Sequence, residues 1–459
     1  NTNFGGTLGN ANLNMQNGSR LFVASNVKMN LSNTAAGALS GLTGAPVITG
    51  SDYKTFMMYL SELKVDAPVN LDSATDSYNQ LEISNSSIIN ENTISGTAAG
   101  QAAIAQKNKN SNKNYVTLVN ETAGNINLAG ANSIGIFAEN GNVINRGNIT
   151  LGGTAATALF GTANSLMSNE GSINLNGTGN TGMFFENTST TPSSEVLRNS
   201  GTITDVDEKN DAYIRAMGSN TYPIIGPNNT TYNIKRSTDG YVGYKVGMAQ
   251  VEENSRSGWG SWAQFQQQRL ENNGTIDFRG ERSIGMYIYL PKNSSSYDQW
   301  VTYAKLVNTA NGKIQISGAE SYGMKLAAHS DPSAEMTNNG NITLRKNPNG
   351  KDKADKSAAM ALMRDNTVTN KVTLTRGKAV NKKDIVLQDN ISNALGMFVN
   401  IDSDMTNEGT IKVSAVAPKV ANQYQFNVAM RADQADLTYE GSNASTEVIN
   451  KKDIKLTGQ

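Results

Sequence analysis

One phrase recurs along the chain, Asn-x-Gly-x-Ile-x-Leu, with Phe or Val also found in the last place. It reads Asn145-Arg-Gly147-Asn-Ile149-Thr-Leu151 and Asn169-Glu-Gly171-Ser-Ile173-Asn-Leu175, and it begins again at Asn199, Asn272, Asn338 and Asn407. Imperfect copies start at Asn90, Asn120, Asn308, Asn381 and Asn450, with Lys383 and Lys452 where glycine is usual. A second phrase follows, as in Ser133-Ile-Gly-Ile-Phe137, Asn180-Thr-Gly-Met-Phe184 and Ser283-Ile-Gly-Met-Tyr287. Gly124 to Ile136, Gly147 to Leu159, Gly171 to Met183, Gly274 to Met286 and Gly312 to Met324 are each twelve residues apart. A register held this closely requires structurally equivalent units, so the chain must be read as a repeat before anything else.

Ile-x-Leu alternates, so both apolar side chains point to one side of a short strand. Ile284, Met286 and Ile288 do the same in the second phrase. Gly124, Gly147 and Gly171 are 23 and 24 residues apart, which suits one triangular coil of three short strands and three turns. Stacked coils pair each strand in parallel with its equivalent, about 4.8 Å away. The expected fold is therefore all-β, a right-handed parallel β-helix with three short strands per coil. Gly124, Gly147, Gly171, Gly201, Gly274, Gly312, Gly340 and Gly409 are expected to occupy turns, where glycine tolerates positive φ. The phrase's asparagines are expected to stack as a ladder that satisfies turn backbone groups. Met183, Met286, Met324, Met360, Met397 and Met430 fall at equivalent places and read as an inward core stack.

Three regions depart from the repeat. Residues 1–89 repeat less clearly, and Asp52 to Lys64 has helical spacing, with Phe56, Leu60 and Leu63 on one face and Ser51 as a cap. That predicts a short N-terminal helix, ahead of repeats over 90–459. Residues 345–356 are a basic excursion, and 414–425 form another. The largest departure, 205–265, reads as an insertion. Asp239-Gly240 between Thr230–Arg236 and Tyr241–Val246 predicts a protruding hairpin there. Tyr232, Tyr241, Tyr244, Trp259 and Trp262 fall within it; with Trp300, these two tryptophans complete the three in the chain. Aromatic side chains on such an excursion suit ligand binding, or else form the insert's own small core.

The charge balance, 39 basic against 39 acidic residues, gives no reason to expect a nucleic-acid partner. The absence of cysteine removes disulfides, thiol nucleophiles and zinc-thiolate sites. It also suits export through an outer-membrane pore. No apolar run is long enough to span a bilayer as a helix. No signal peptide opens the chain, and Ile454 to Gln459 stops inside a repeat, so the natural protein is expected to continue. His329 is the single histidine, in no nucleophile-elbow setting. Gly177-x-Gly179-x-x-Gly182 belongs to the repeat and not to a dinucleotide site. Asp205, Asp207, Glu208 and Asp211 are the nearest approach to a carboxylate cluster. The expectation is no enzyme, no cofactor and no metal.

The two phrases, from about Asn90 to Gly458, resemble those of the passenger regions of large fusobacterial autotransporter adhesins. Lys64 to Asp72 and Leu81 to Ser87 are similar to segments near the front of such passengers. The resemblance implies a type V secreted, cell-surface protein, anchored by a C-terminal β-barrel outside this chain, that adheres to host cells or partner bacteria through glycan or protein ligands. Because the shared phrases are scaffold residues, they carry no binding residue across. A passive spacer, a self-associating chain and a polysaccharide-degrading β-helix remain the competing readings.

Overall fold

The computed structural model describes residues 86–107, 116–162, 165–187, 196–205, 245–252, 269–290, 305–328, 335–348, 353–363, 377–400, 403–414, 426–433 and 447–457. Before residue 86 it describes short strands and a few flanking residues, and within 206–244 it describes two strands. These residues fall into two compact units: Asn1–Phe184 with Ser219–Arg236, and Phe185–Gly218 with Ser237–Gln459. Each unit is a right-handed parallel β-helix with three strands per coil.

In the first unit one coil runs through Asn142–Asn145, Asn148–Leu151 and Thr157–Thr162. Each strand pairs in parallel with its equivalents, Thr117–Asn120 and Leu166–Asn169 on the first face and Asn125–Leu128 and Ser172–Leu175 on the second. The second unit repeats this with Arg269–Asn272, Thr275–Phe278 and Ser283–Leu290. Ile126, Ile149 and Ile173 are in register and fully buried, as are Leu128, Leu151 and Leu175. The alternating pattern thus becomes continuous aliphatic columns. Met248, Met286, Met324, Met360, Met397 and Met430 form another such column in the second unit. Met286, Met324, Met360 and Met397 are fully buried, Met430 is half-buried, and Met183 is buried in the first unit.

The phrase's asparagines are hydrogen-bonded to one another as a ladder in both units. In the first unit Asn90 Nδ2 donates to Asn120 Oδ1 at 2.7 Å, Asn120 to Asn145 at 2.8 Å, and Asn145 to Asn169 at 2.8 Å. In the second, Asn199, Asn272, Asn308, Asn338, Asn381, Asn407 and Asn450 are linked at 2.7–2.9 Å.

The turn glycines play a different part from the one their residue type suggests. Among the described residues, glycines at positive φ are Gly100 and Gly179, neither of them in the Asn-x-Gly phrase. What the phrase requires is space. A Cβ on Gly147 would lie 2.1 Å from the Gly124 carbonyl oxygen, and one on Gly340 would lie 2.2 Å from that of Gly312. Positive φ falls instead mostly at the corner between second and third strands, with Asn140 at the corner between third and first. Gly100, Asn132, Ala155, Gly179, Arg282, Glu320, Lys356 and Asn393 each adopt it at the first of these corners. The turned backbone sends its N–H to the neighbouring coil, as in Ala155 N to Thr178 O and Arg282 N to Ala319 O, both 2.8 Å. That bond offsets the cost of left-handed backbone in residues with a Cβ. At Lys383 and Lys452 the second strand starts one residue late, at Ile385 and Ile454, and it does so after Gly409 as well, at Ile411. Ile342 N and Ile411 N then reach the Asp384 and Asp453 carbonyls.

Two predicted elements change. The helix expected over Asp52 to Lys64 is two strands, Lys54–Tyr59 and Glu62–Val65. The first pairs with Arg20–Ser25 and Leu81–Ser84, the second with Lys28–Leu31 and Ser87–Asn90. Leu63 and Val65 are buried while Glu62 and Lys64 between them are not, so period two prevails over the coincidental helical spacing. Coil neighbours on both sides supply a ladder that an isolated helix of this length would lack.

The hairpin exists but one step earlier, as Thr221–Ile225 antiparallel to Thr231–Lys235. Between the two strands the sequence reads Gly226-Pro-Asn-Asn-Thr230. Asp239-Gly240 lies outside the described residues. The expected second arm ends instead in Lys245–Glu252, a coil strand in register with Ser283–Leu290. Residues 205–265 are therefore two excursions, 206–244 and 253–268, separated by a strand of the solenoid.

A carboxylate closes one early corner. Asp72 accepts from Thr97 N at 2.8 Å, Ala98 N at 3.1 Å and Gln101 Nε2 at 2.9 Å. These donors, Thr97 N foremost, hold its carboxyl down at about 2. The folded value lies below the ordinary 3.8, so the stabilisation is present above about pH 4 and is lost as pH falls toward 2. Asp72→Ala is expected to flatten the dependence of the urea midpoint on pH between 4 and 2; an unchanged slope would refute this role.

Candidate binding flank

Both long excursions leave the coil at defined places. Chain 206–244 leaves after Asp205 and re-enters at Lys245, at the corner between second and third strands. There the usual short turn is absent and an ion pair takes its place. Lys245 Nζ lies 3.2 Å from Asp205 Oδ2, with side-chain exposures of 1% and 0%. Asp205 also accepts from Arg279 N at 2.6 Å and Gly280 N at 3.2 Å in the next coil. In most coils the corresponding corner N–H groups meet a carbonyl, as Gly152 N meets Leu128 O. Burial pushes the Asp205 carboxyl up, opposed by Lys245 and by the two N–H donors. The aspartate that the hydrolase reading needed as a catalyst is thus enclosed by structural bonds. Asp207, Glu208, Asp211 and His329 lie outside the described residues, among which no His, Asp and Glu group could hold a metal.

Chain 253–268 leaves at the other corner, between third and first strands, and so do 291–304 and 329–334 in the following coils. Their departure strands are Lys245–Glu252, Ser283–Leu290 and Tyr322–Ala328, paired in parallel. Their return strands are Arg269–Asn272, Lys305–Asn308 and Glu335–Asn338, also paired. At least four successive excursions therefore spring from one edge of the second unit, because 364–376, between Ala358–Met363 and Gly377–Asn381, leaves the next coil at the same corner. The first carries Trp259 and Trp262 and the second carries Trp300, which together are every tryptophan in the chain. The side chains of Tyr232, Tyr241, Tyr244, Trp259, Trp262 and Trp300 lie outside the described residues. The Tyr232 backbone pairs with Ile224 in the hairpin, which belongs to the first unit. Trp300 falls outside the 205–265 insertion in sequence, but its excursion leaves the same edge as that of Trp259 and Trp262.

Beside this edge the outer side of the third face carries Tyr287 and Lys325. Position 287 is in register with 325, 361, 398 and 431, and Arg431 is exposed, which fixes this column as outward. Lys325 Nζ stands 4.5 Å over the Tyr322 ring and 5.9 Å from the centre of Tyr287. Desolvation lowers the lysine to about 8 and raises the Tyr322 phenol. Because the folded value of Lys325 lies below the unfolded one, this group lets stability rise with pH between about 8 and the ordinary 10.5. After reductive ¹³C-methylation, the Lys325 resonance is expected to titrate near pH 8; a midpoint near 10.5 would remove the desolvated environment. In the first unit the equivalent outward column is aromatic, with Phe137, Phe160 and Phe184 stacked at 5.2 and 5.0 Å. Sequence reading missed this column, because every residue of the third strand reads as apolar whichever way it points.

Residues 6–204 match the family model described as the BigA third pectate lyase-like domain. BigA is a bacterial autotransporter-type adhesin. No curated protein and no solved structure matches the chain.

Proposed function

We propose that this chain is a segment of an autotransporter passenger displayed at the cell surface, and that it acts as an adhesin. The similarity of residues 6–204 to a BigA domain supports the passenger reading. The carrying observation for adhesion is the edge of the second unit from which consecutive coils send out all three tryptophans. Coil geometry requires no excursion there, since other coils turn the same corner within Asn140 and Gly141. Tryptophan is costly to expose and is enriched at binding hot spots. The partner is a glycan or protein of a host cell or of a partner bacterium, bound without cofactor or metal. The passenger would be held to the outer membrane by a C-terminal β-barrel. Tyr232, Tyr241 and Tyr244 are further candidate ligand contacts, to be replaced by alanine in a separate variant.

The test is binding of purified protein to epithelial cells and to bacteria. Trp259→Ala, Trp262→Ala and Trp300→Ala are made together, with circular dichroism as the folding control. Loss of about ten-fold or more in affinity is expected. Retention of full binding by the triple variant removes the tryptophan edge. No binding by the parent protein favours a spacer.

A further inference from the structure

Two carboxamides lie inside the solenoid with nothing to bond. Gln106 in the first unit is 0% exposed and Gln250 in the second is 1% exposed. Neither side-chain oxygen nor nitrogen of either residue has a hydrogen-bond partner. Both occupy the same place in the repeat, two residues after the central apolar residue of the third strand, Ile104 or Met248. The preceding residue, Ala105 or Ala249, shares the register of the outward column described above, so the glutamines face inward. An amide buried without a partner costs several kcal/mol in an apolar setting, and native interiors satisfy such groups with protein or water.

We infer that Gln106 and Gln250 each hold an ordered water molecule inside the coil, at the corner between third and first strands. The requirements are room and further polar partners. Beside Gln106 the next coils place Ala138 and then Gly161 in register, so the column narrows from a glutamine to a methyl to a hydrogen. The partners at this corner are backbone groups exposed where the strand ends. A later coil shows how a hydroxyl serves them. Ser165 Oγ, fully buried, lies 3.0 Å from Ala138 O and 2.8 Å from Thr162 O, and accepts from Gly141 N at 3.2 Å. Ser165 lies one coil after Ala138, and one coil after Gln106 its place is taken by Gly141, which brings no hydroxyl. A water bridging the carboxamide to the corner backbone does there what Ser165 does later. One coil after Gln250 that place falls to Ala304, outside the described residues. The water at Gln250 therefore rests on its unpartnered amide alone and is tested separately.

Methionine follows the outline of glutamine without polar atoms, so Gln106→Met and Gln250→Met, made in the whole chain, read the site by sign. With water bound, removing the amide strands the water and its backbone partners, and each variant should melt about 2 °C or more below the parent. A crystal structure resolving waters should show density within hydrogen-bonding distance of each carboxamide. A variant that melts above its parent, or a carboxamide without density beside it, overturns that site. Because the residues lie inside the coil, unchanged adhesion by both variants is expected, and the outcome is independent of the adhesin reading.

Discussion

Replacing Lys245 by methionine is expected to lower the free energy of unfolding by roughly 3–5 kcal/mol. The ion pair it belongs to is fully enclosed, and removing one partner leaves a carboxylate in a low-dielectric site with two N–H donors as its only compensation. The measurement is a urea titration of parent and variant by far-ultraviolet circular dichroism. Its pH dependence carries a second reading. Without the ammonium, burial raises the Asp205 carboxyl further above its unfolded value. Stability is then fullest below the ordinary carboxylate range and is lost as pH rises through the folded value. The deficit of Lys245→Met should therefore shrink on acidification toward pH 4. Adding Asp205→Leu should not restore the parent, because Arg279 N and Gly280 N would lose their acceptor. A Lys245→Met midpoint within error of the parent would mean that the corner does not depend on the pair. The same geometry predicts that joining Asp205 to Lys245 through a short turn, in place of 206–244, leaves the solenoid folded.

Asn308→Ala is the second large effect, expected to cost on the order of 3–6 kcal/mol, from three bonds lost and buried partners left unsatisfied. Asn308 Oδ1 accepts from Asn272 at 2.9 Å, and its Nδ2 donates to Asn338 at 2.8 Å and to Gly312 O at 3.3 Å. Asn308 is fully buried, so water cannot replace the amide without entering the coil. The exposed neighbour Asn311, whose Nδ2 reaches Asn273 Oδ1 at 3.3 Å, is the control. Asn311→Ala should change stability by less than about 0.5 kcal/mol. Equal effects at the two positions would show that the ladder carries no special share of stability.

The first and second strands were legible because each has one buried face, so Ile149 and Leu151 announce themselves by alternation. The third strand was harder to read. Ile136, Phe137 and Ala138 are all buried, since both faces of that strand are covered, and an unbroken apolar run has no period to betray its direction. Helical spacing at Phe56, Leu60 and Leu63 was coincidence, and neighbouring coils decided the matter by offering registered backbone partners. The tryptophans were visible as unusual residues, but their common edge was not, because Trp262 and Trp300 lie far apart in sequence while their coils are adjacent.

The sequence by itself determined the coil: its length, which asparagines stack and which aliphatic side chains face the axis. These follow from local alternation and a constant spacing, which any single repeat displays. Tertiary structure alone decided why the glycines are glycines. Residue type suggested a left-handed turn, whereas the requirement comes from a carbonyl oxygen of the coil beneath, about two dozen residues away. It also decided that Asp205 and Lys245, forty residues apart, are one buried pair. Contacts between coils join residues with no fixed separation once an excursion intervenes, so no local pattern can encode them.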